Sequence, residues 1–326
     1  MMKKDYNQFA GSAIKFFDSA EPFPLECGEV LPSLRIAYHT YGIQRADNVR
    51  WVCHALTASS EVKDWWLGTV CEGGIFDPDQ YFTVCANMLG SCYGSSSPLD
   101  DDNFPLITFE DIARAHQLLA AHLGIGHIDM IIGGSTGGSQ VLEWAYKEPD
   151  RFSRLVLLAT LPRTTAWIQA SSTAQRMAIE ASGYSDAGLA AARATAMLQY
   201  RGAKAYNLTQ TEPDEKLKDY RVDSYQRYQG KKLSSRFDVR CYLGLLNTLD
   251  SFDLGRARGG VQAALGHITT PATVVAISTD IMYPASDIQQ MADMLPGGEF
   301  HLLDSAFGHD GFLVETAKIS KLLKDI

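Results

Sequence analysis

The sequence has no uninterrupted apolar stretch that approaches the length of a membrane-spanning helix. It also has no run of basic residues to offset its formal net charge of −9, which argues against a general nucleic-acid-binding protein. The first eight residues, Met-Met-Lys-Lys-Asp-Tyr-Asn-Gln, lack the apolar segment of a signal peptide. We therefore expect a cytoplasmic protein that binds neither nucleic acid nor a membrane, although a few local cations could still hold a small anionic substrate.

Cysteine is scarce and scattered. The six cysteines form no Cys-x-x-Cys pair and do not cluster with the eight histidines in a metal-ligand spacing. Such a distribution is typical of reduced thiols in a cytosolic protein. We expect no metal site and no tightly bound cofactor.

The 326 residues are 46% hydrophobic and 21% charged, as in an ordinary globular protein, and their number suits one large α/β domain with an insertion. Strand-like and helix-like segments alternate, which predicts a mostly parallel sheet covered by helices on both faces. The predicted strands are Arg35–Tyr41, Val49–Leu56, Tyr81–Met88, Ile128–Ile132, Leu155–Thr160, Ala272–Thr279 and Phe300–Leu303. The predicted helices of this core are Thr108–Leu123, Ser139–Lys147, Ser286–Leu295 and Leu313–Lys324.

One long region departs from this alternation. Between Pro162 and Gly260 no clear strand occurs, whereas Ala187–Leu198 and Cys241–Leu249 have the spacing of amphipathic helices. A helical block of about 100 residues is long for a connection, so we interpret it as a lid over the carboxyl end of the sheet. The predicted division is a core in residues 1–162 and 261–326 with a helical lid in 163–260. The alternative is an added structural layer without a gating role.

A glycine-rich segment follows the strand Ile128–Ile132 and precedes a helix. It contains Gly133-x-Ser135-x-Gly137, and a serine on a sharp strand-to-helix turn is the nucleophile elbow of α/β-hydrolases. The glycines fit this interpretation, because side chains at their positions would collide with the turn. The alternative is a glycine-rich connection without chemistry.

An acyl-transfer site also needs donors for an oxyanion. The backbone N–H of Thr136, at the start of the helix after Ser135, is the first candidate. The second should come from the loop after an early strand, and the segment Val52-Cys-His-Ala-Leu-Thr supplies the N–H of Leu56. His54 in this loop is interpreted as a structural histidine rather than a base.

The elbow requires a base and an acid, which this fold supplies in the order Ser, Asp or Glu, His. Of the downstream histidines, His301 alternates with apolar neighbours in a strand and His267 belongs to a loop, whereas His309 lies in a turn-rich stretch after the last predicted strand. Asp280 stands at the carboxyl end of the strand Ala272–Thr279. We therefore predict the triad Ser135, Asp280 and His309, in which the carboxylate fixes the imidazole tautomer.

Several motifs along nearly the whole chain together resemble the homoserine O-acetyltransferase family. They are Ile36-Ala-Tyr-His-Thr-Tyr-Gly, His54-Ala-Leu-Thr, Trp65-Trp66, Asn87-Met-Leu-Gly-Ser, Gly133-Gly-Ser-Thr-Gly-Gly-Ser-Gln-Val-Leu-Glu-Trp-Ala, Tyr225-Gln-Arg-Tyr-Gln-Gly, Arg236-Phe-Asp and Gly308-His-Asp-Gly-Phe-Leu.

The resemblance implies a ping-pong acyl transfer of the methionine-biosynthesis type, with acetyl-CoA as co-substrate. Ser135 would attack the thioester, CoA would leave, and the hydroxyl of L-homoserine would take the acyl group. In this family an Arg and a Tyr seven residues later bind the acceptor, and Arg193 and Tyr200 match that spacing. Asp310 matches the carboxylate that binds the amine. The alternative for Arg193 and Tyr200 is an ordinary lid-helix surface. A homodimer through the lid is also implied.

The chain departs from the family at a few positions. Thr136 and Ser139 stand where the family usually has methionines, Arg240-Cys241 replaces a usual Asn-Ser, and the segment 96–105 is shorter. We expect these changes near the acyl and acceptor pocket. Three alternatives therefore remain: an esterase or thioesterase that uses water, a relative with a succinyl donor or another hydroxy-amino-acid acceptor, and a non-enzymatic binding module.

Overall fold

A computed structural model describes residues 13–324 of the chain, so the predicted absence of a signal peptide lies outside the described residues. The strands are β1 (Lys15–Ser19), β2 (Phe23–Pro24), β3 (Val30–Leu31), β4 (Leu34–Tyr41), β5 (Val49–Cys53), β6 (Phe82–Ala86), β7 (Ile128–Gly134), β8 (Phe152–Leu158), β9 (Ala272–Ile277) and β10 (Gly298–Leu303). The helices are α1 (Val62–Trp65), α2 (Phe109–His122), α3 (Thr136–Lys147), α4 (Ala166–Ala181), α5 (Asp186–Gln210), α6 (Arg221–Ser234), α7 (Val239–Asp250), α8 (Val261–His267), α9 (Ala285–Met294), α10 (Gly311–Val314) and α11 (Thr316–Lys324).

Eight strands form the central sheet in the order β1-β4-β6-β5-β7-β8-β9-β10. The pairs β1–β4 and β4–β6 are antiparallel, and every other neighbouring pair is parallel. A parallel sheet is buried on both faces, and all residues of β6 and β9 are buried accordingly. This arrangement confirms the predicted α/β-hydrolase fold.

Two hydrophobic cores cover the two faces of the sheet, because successive side chains of a strand point to opposite sides. In β5, Trp51 packs in the larger core, whereas Val52 packs in the smaller one. The same alternation holds in β7, where Ile131 and Ile132 belong to different cores. Buried residues of α2, α3 and α9 pack in the larger core, and Ile319 of α11 packs in the smaller core.

Five helices, α4 to α8, lie between β8 and β9 in the chain, and the first four of them fall within residues 163–260. Both helices predicted in this region are present within α5 and α7. The only β pairing described between Pro162 and Gly260 is an isolated bridge of Arg163 with Asp253. The long helix α5 is interrupted at Gly202, whose backbone (φ 65°, ψ 168°) is not helical. The division into a core and a lid at residues 163 and 260 stays a prediction.

The observed elements differ from the predicted ones at the ends of strands and helices and at the edge of the sheet, and several elements were not predicted: β2, β3, α1, α4, α6 and α8. The strand predicted to end at Leu56 ends at Cys53, so Leu56 lies in the following loop. The edge strand β1 was not predicted because none of its residues is buried, and its sequence therefore lacks the alternation of a half-buried strand. Among residues 13–324, no helix has the length and apolarity needed to cross a membrane.

Candidate active site

Ser135 lies in the sharp turn between β7 and α3 with φ 56° and ψ −126°, a backbone conformation that L-residues rarely adopt. The glycines of the motif permit this turn. A Cβ on Gly133 would lie 2.7 Å from the Gly138 nitrogen, and a Cβ on Gly137 would overlap the carbonyl group of Cys53. Glycine at these two positions therefore lets the turn close without a steric clash, and the turn presents Ser135 at the carboxyl end of the sheet.

The three residues predicted as a triad are brought together. His309 donates from Nδ1 to Oδ2 of Asp280 at 2.7 Å. The other oxygen of Asp280 accepts hydrogen bonds from the backbone N–H groups of Met282, at 2.7 Å, and Tyr283, at 3.0 Å. Nε2 of His309 has no protein partner within residues 13–324, and His309 lines a cavity of about 130 Å³ together with Ser135. The imidazole can thus accept a proton on the side that faces this cavity.

Aromatic side chains hold the imidazole ring of His309 in place. The ring of Tyr283 stacks on it at a centroid distance of 5.1 Å, and Tyr200 and Phe312 lie at 6.0 and 5.4 Å. Gly308 makes the approach of Tyr200 possible, because a Cβ there would lie 3.0 Å from the Tyr200 carbonyl oxygen. Helix α5 therefore packs directly against the turn that carries the histidine.

The two predicted oxyanion donors, the N–H groups of Leu56 and Thr136, belong to two segments that a shared hydrogen-bond partner links in the fold. Neither the Leu56 nor the Thr136 N–H donates to a protein acceptor in the described part of the chain; Leu56 lines the cavity, and Thr136 follows Ser135, which also lines it. Residues 55–58 form a turn closed by the Ala58 N–H, which donates to the Ala55 carbonyl at 2.9 Å. Gln140 of α3 donates to the carbonyls of His54, at 3.0 Å, and Thr136, at 3.2 Å, and so ties the turn to the elbow.

His54 is a structural residue of this loop, in agreement with the interpretation of the sequence. Its Nε2 accepts the backbone N–H of Met88 at 3.1 Å, which places the ring proton on Nδ1, where it is donated to the Ala55 carbonyl at 2.9 Å. Burial lowers the pKa of His54 to about 4. The ring is therefore neutral near pH 7 and works as a donor to the turn rather than as a base.

Arg193, Tyr200 and Asp310 all line the cavity that contains Ser135. The guanidinium of Arg193 lies 5.0 Å from the ring centroid of Tyr200 and pairs with no carboxylate among residues 13–324. Burial raises the pKa of the Tyr200 hydroxyl, which stays protonated as a donor. Arg193 thus offers the cavity a cation without a carboxylate partner, which is suited to bind a carboxylate.

Two arginines of the site were not assigned a role from the sequence. Arg201 donates from Nε to Oδ2 of Asp310 at 2.8 Å, so the predicted amine-binding carboxylate is already paired on one oxygen. Arg236 lines the cavity and donates to the Thr57 carbonyl at 2.7 Å. The only signal for Arg236 was its place in the Arg-Phe-Asp motif, and nothing in the sequence singled out Arg201.

The positions at which the chain departs from the family do not line the cavity themselves, although Thr136 directly follows Ser135. None of Thr136, Ser139, Arg240 and Cys241 lines the cavity wall, and neither does the segment 96–105. Arg240 points outward and pairs with the exposed Asp102 at 2.7 Å. Thr136 and Ser139 are buried in α3, and Cys241 is buried in α7. The side chains at these four positions therefore do not form the wall of the cavity.

Comparisons with known proteins agree with this geometry. The family model of the alpha/beta hydrolase fold matches residues 52–316. A homoserine O-acetyltransferase of Chlorobaculum tepidum is 37% identical over 345 aligned positions, which cover 99% of this chain and 97% of the relative.

Solved structures show the same similarity. The homoserine O-acetyltransferase of Staphylococcus aureus superposes with a TM-score of 0.83 and 31% identity, covering 95% of this chain and 94% of that chain. An acetylester hydrolase of Corynebacterium glutamicum reaches a TM-score of 0.85 at 22% identity, with 96% and 95% covered. The second likeness concerns the fold alone, whereas the first extends to the sequence.

Proposed function

Because this chain belongs to the homoserine O-acetyltransferase family, we propose that it transfers the acetyl group of acetyl-CoA to the hydroxyl of L-homoserine through an acyl-enzyme at Ser135. The observation that carries the proposal is one cavity lined by a nucleophile, a base and an unpaired cation, namely Ser135, His309 and Arg193. An acceptor that carries a carboxylate can pair with this cation, whereas water as the acceptor would not require a cation there.

In the first half-reaction, the Ser135 hydroxyl gives its proton to Nε2 of His309 as Oγ attacks the thioester carbonyl. The negative charge that develops on the carbonyl oxygen is met by the N–H groups of Leu56 and Thr136. The C–S bond then breaks, and the CoA sulfur takes the proton from the imidazolium. Asp280 stabilises the imidazolium through its 2.7 Å hydrogen bond throughout.

In the second half-reaction, the homoserine hydroxyl gives its proton to Nε2 of His309 and attacks the acyl-serine carbonyl. The bond between the carbonyl carbon and Ser135 Oγ breaks, and the serine recovers its proton from the histidine. The acceptor carboxylate is held by Arg193 and Tyr200. Its ammonium group is held by the oxygen of Asp310 that Arg201 leaves free.

We further propose that the helices between residues 163 and 260 act as a lid and form the contact of a cytoplasmic homodimer. Support for the second point comes from large apolar side chains on these helices that stay exposed: Trp167, Met177, Leu198 and Leu208 are each more than half accessible. Light scattering of the purified protein tests this point. A monomer at micromolar concentration would contradict it.

The test of the activity is to mix the purified protein with acetyl-CoA, with and without L-homoserine, and to follow free CoA and O-acetylhomoserine. We expect CoA release that depends on homoserine and yields a stoichiometric amount of the ester. CoA release that is unaffected by homoserine would identify a thioesterase instead. Succinyl-CoA in a parallel reaction tests the donor, and faster turnover with it would overturn acetyl as the acyl group.

Two variants test the assigned roles. Ser135→Ala should form no acyl-enzyme detectable by mass spectrometry, and acylation of this variant would exclude Ser135 as the nucleophile. Arg193→Ala should raise the KM for homoserine while the rate of acylation by acetyl-CoA stays unchanged. Arg227→Ala is the matched control, because Arg227 lies on lid helix α6 with its side chain 79% exposed. Equal losses in both half-reactions of the Arg193 variant would contradict an acceptor role.

A further inference from the structure

Arg236 is the charged group of the cavity to which the proposed mechanism gives no task. It follows lid helix α6, and its Nη1 donates to the Thr57 carbonyl at 2.7 Å and to the Tyr93 hydroxyl. Tyr93 is buried, and its ring packs edge-on against Phe237 at 5.5 Å. The guanidinium therefore has a fixed position beside the turn formed by residues 55–58.

The peptide groups of this turn are linked in series. The Thr57 carbonyl, which accepts from Arg236, belongs to the same peptide group as the Ala58 N–H. That N–H donates to the Ala55 carbonyl at 2.9 Å, and the Ala55 carbonyl belongs to the same peptide group as the Leu56 N–H. A chain of hydrogen bonds therefore runs from the guanidinium through two peptide groups to the proposed second oxyanion donor.

Such a chain has a direction. A cation at the carbonyl end polarises each peptide group along it, and hydrogen bonds in a chain strengthen one another. The neutral ring of His54 adds a second donor to the Ala55 carbonyl at 2.9 Å and acts in the same sense. Both contacts make the Leu56 N–H a stronger donor and hold its orientation, which are the properties that an oxyanion hole requires.

We propose that Arg236 is a positioning residue of the oxyanion hole, which acts on the Leu56 N–H through the turn and couples the lid to acylation. The inference rests on the proposed function, in taking Ser135 as the acylated residue, the Leu56 N–H as an oxyanion donor and the helices of residues 163–260 as a lid. Because Arg236 belongs to the segment after α6 and Thr57 to the core, the bond between them forms only when this part of the lid is seated.

The experiment uses Arg236→Gln, Arg236→Lys and the control Arg240→Gln, whose side chain lies outside the cavity. The probe is 4-nitrophenyl acetate, which acylates the serine without CoA or homoserine, and the rate of the nitrophenolate burst is measured. Loss of one oxyanion donor costs about 10²–10³-fold, so we expect weakening it to slow acylation roughly 10- to 100-fold in Arg236→Gln. Arg236→Lys should recover part of this loss, and Arg240→Gln should match the wild type.

Three results would overturn the inference. An unchanged burst rate with 4-nitrophenyl acetate, together with a higher KM for acetyl-CoA, would make Arg236 a substrate-binding group. A failure of Lys to improve on Gln would contradict a role of the charge. An equal loss in the Arg240 variant would indicate a general effect on packing.

A second substitution covers the case in which Arg236→Gln does not fold. Tyr93→Phe keeps the ring and removes only the hydroxyl that anchors the guanidinium, and it should slow the burst by a smaller factor than Arg236→Gln. A wild-type rate for Tyr93→Phe would contradict the anchoring. Because the burst needs no acceptor, it is informative whether or not homoserine is the true acceptor.

Discussion

Replacement of Gly137 by alanine tests whether the contact between the elbow and the end of β5 sets the spacing of the two oxyanion donors. Gly137 directly follows Thr136, and its Cα faces the carbonyl group of Cys53. Cys53 is the last residue of β5 and directly precedes the loop that contains Leu56. A side chain at residue 137 must therefore push apart the two segments that carry the donors.

The structure gives the size of this displacement. A Cβ on Gly137 would lie 3.0 Å from the Cys53 carbonyl carbon and closer still to its oxygen. Carbon atoms pack at about 3.5–4.0 Å, so the contact with the carbonyl carbon alone requires a separation of roughly 0.5–1 Å, and the closer oxygen requires more. A misplacement of about 1 Å costs on the order of 100-fold in rate, and overpacking costs about 1–3 kcal/mol of stability. We expect both effects in Gly137→Ala.

The acylation rate from the 4-nitrophenyl acetate burst and the free energy of unfolding in urea measure the two effects. Gly266→Ala is the matched control, because a Cβ at this position of helix α8 meets nothing within 4 Å. The control should acylate at the wild-type rate and gain up to about 1 kcal/mol from helix propensity. If Gly137→Ala lost stability but kept the wild-type acylation rate, the contact would not set the spacing of the donors.

Three further changes have defined outcomes. Asp280→Asn should lower kcat about 10³–10⁴-fold with an unchanged circular dichroism spectrum, because the imidazolium loses its carboxylate; a loss below 10-fold would contradict the triad. Burial lowers the pKa of His116 to about 3, so the folded protein loses stability as pH falls below the ordinary histidine pKa of about 6.5. His116→Met should reduce the loss of unfolding free energy between pH 7.5 and pH 5 by about 2 kcal/mol, measured by urea unfolding. A wild-type pH dependence of the variant would refute that assignment. Gly202→Ala should destabilise the fold by about 1–3 kcal/mol, because alanine must adopt a backbone conformation that suits glycine alone. It should also raise the KM for homoserine, because residue 202 follows Arg201, which pairs with Asp310. An unchanged KM would exclude this second effect.

That Ser135, Asp280 and His309 lie near one another could be predicted because the sequence ties them to local features of the chain. Ser135 stands in a glycine pattern whose neighbours are fixed by steric contact, and Asp280 follows a strand that is buried throughout. The sheet order then brings the carboxyl ends of neighbouring parallel strands to one edge. Knowledge of the strand ends was therefore sufficient to place these groups near one another.

Arg201 and Arg236 could not be predicted by the same reasoning. Their partners are distant in sequence: Arg201 meets Asp310 across 109 positions, and Arg236 meets Thr57 across 179. Both arginines belong to the helical region, whose packing against the core depends on the kink at Gly202 and on the close approach of Gly308. No periodicity in the sequence encodes such a contact.

The packing of the helical region against the core also bears on how an acyltransferase differs from an esterase of the same fold. The triad and the oxyanion donors serve both reactions, so the outcome is decided by what meets the acyl-enzyme. In this chain the groups proposed for the acceptor come from the lid, through Arg193 and Tyr200, and from Asp310 beside the histidine. A seated lid would then both complete the oxyanion hole through Arg236 and supply the site for the acceptor. Acylation and acceptor binding would depend on one conformation, in which the attacking hydroxyl is held in the place that water would otherwise occupy.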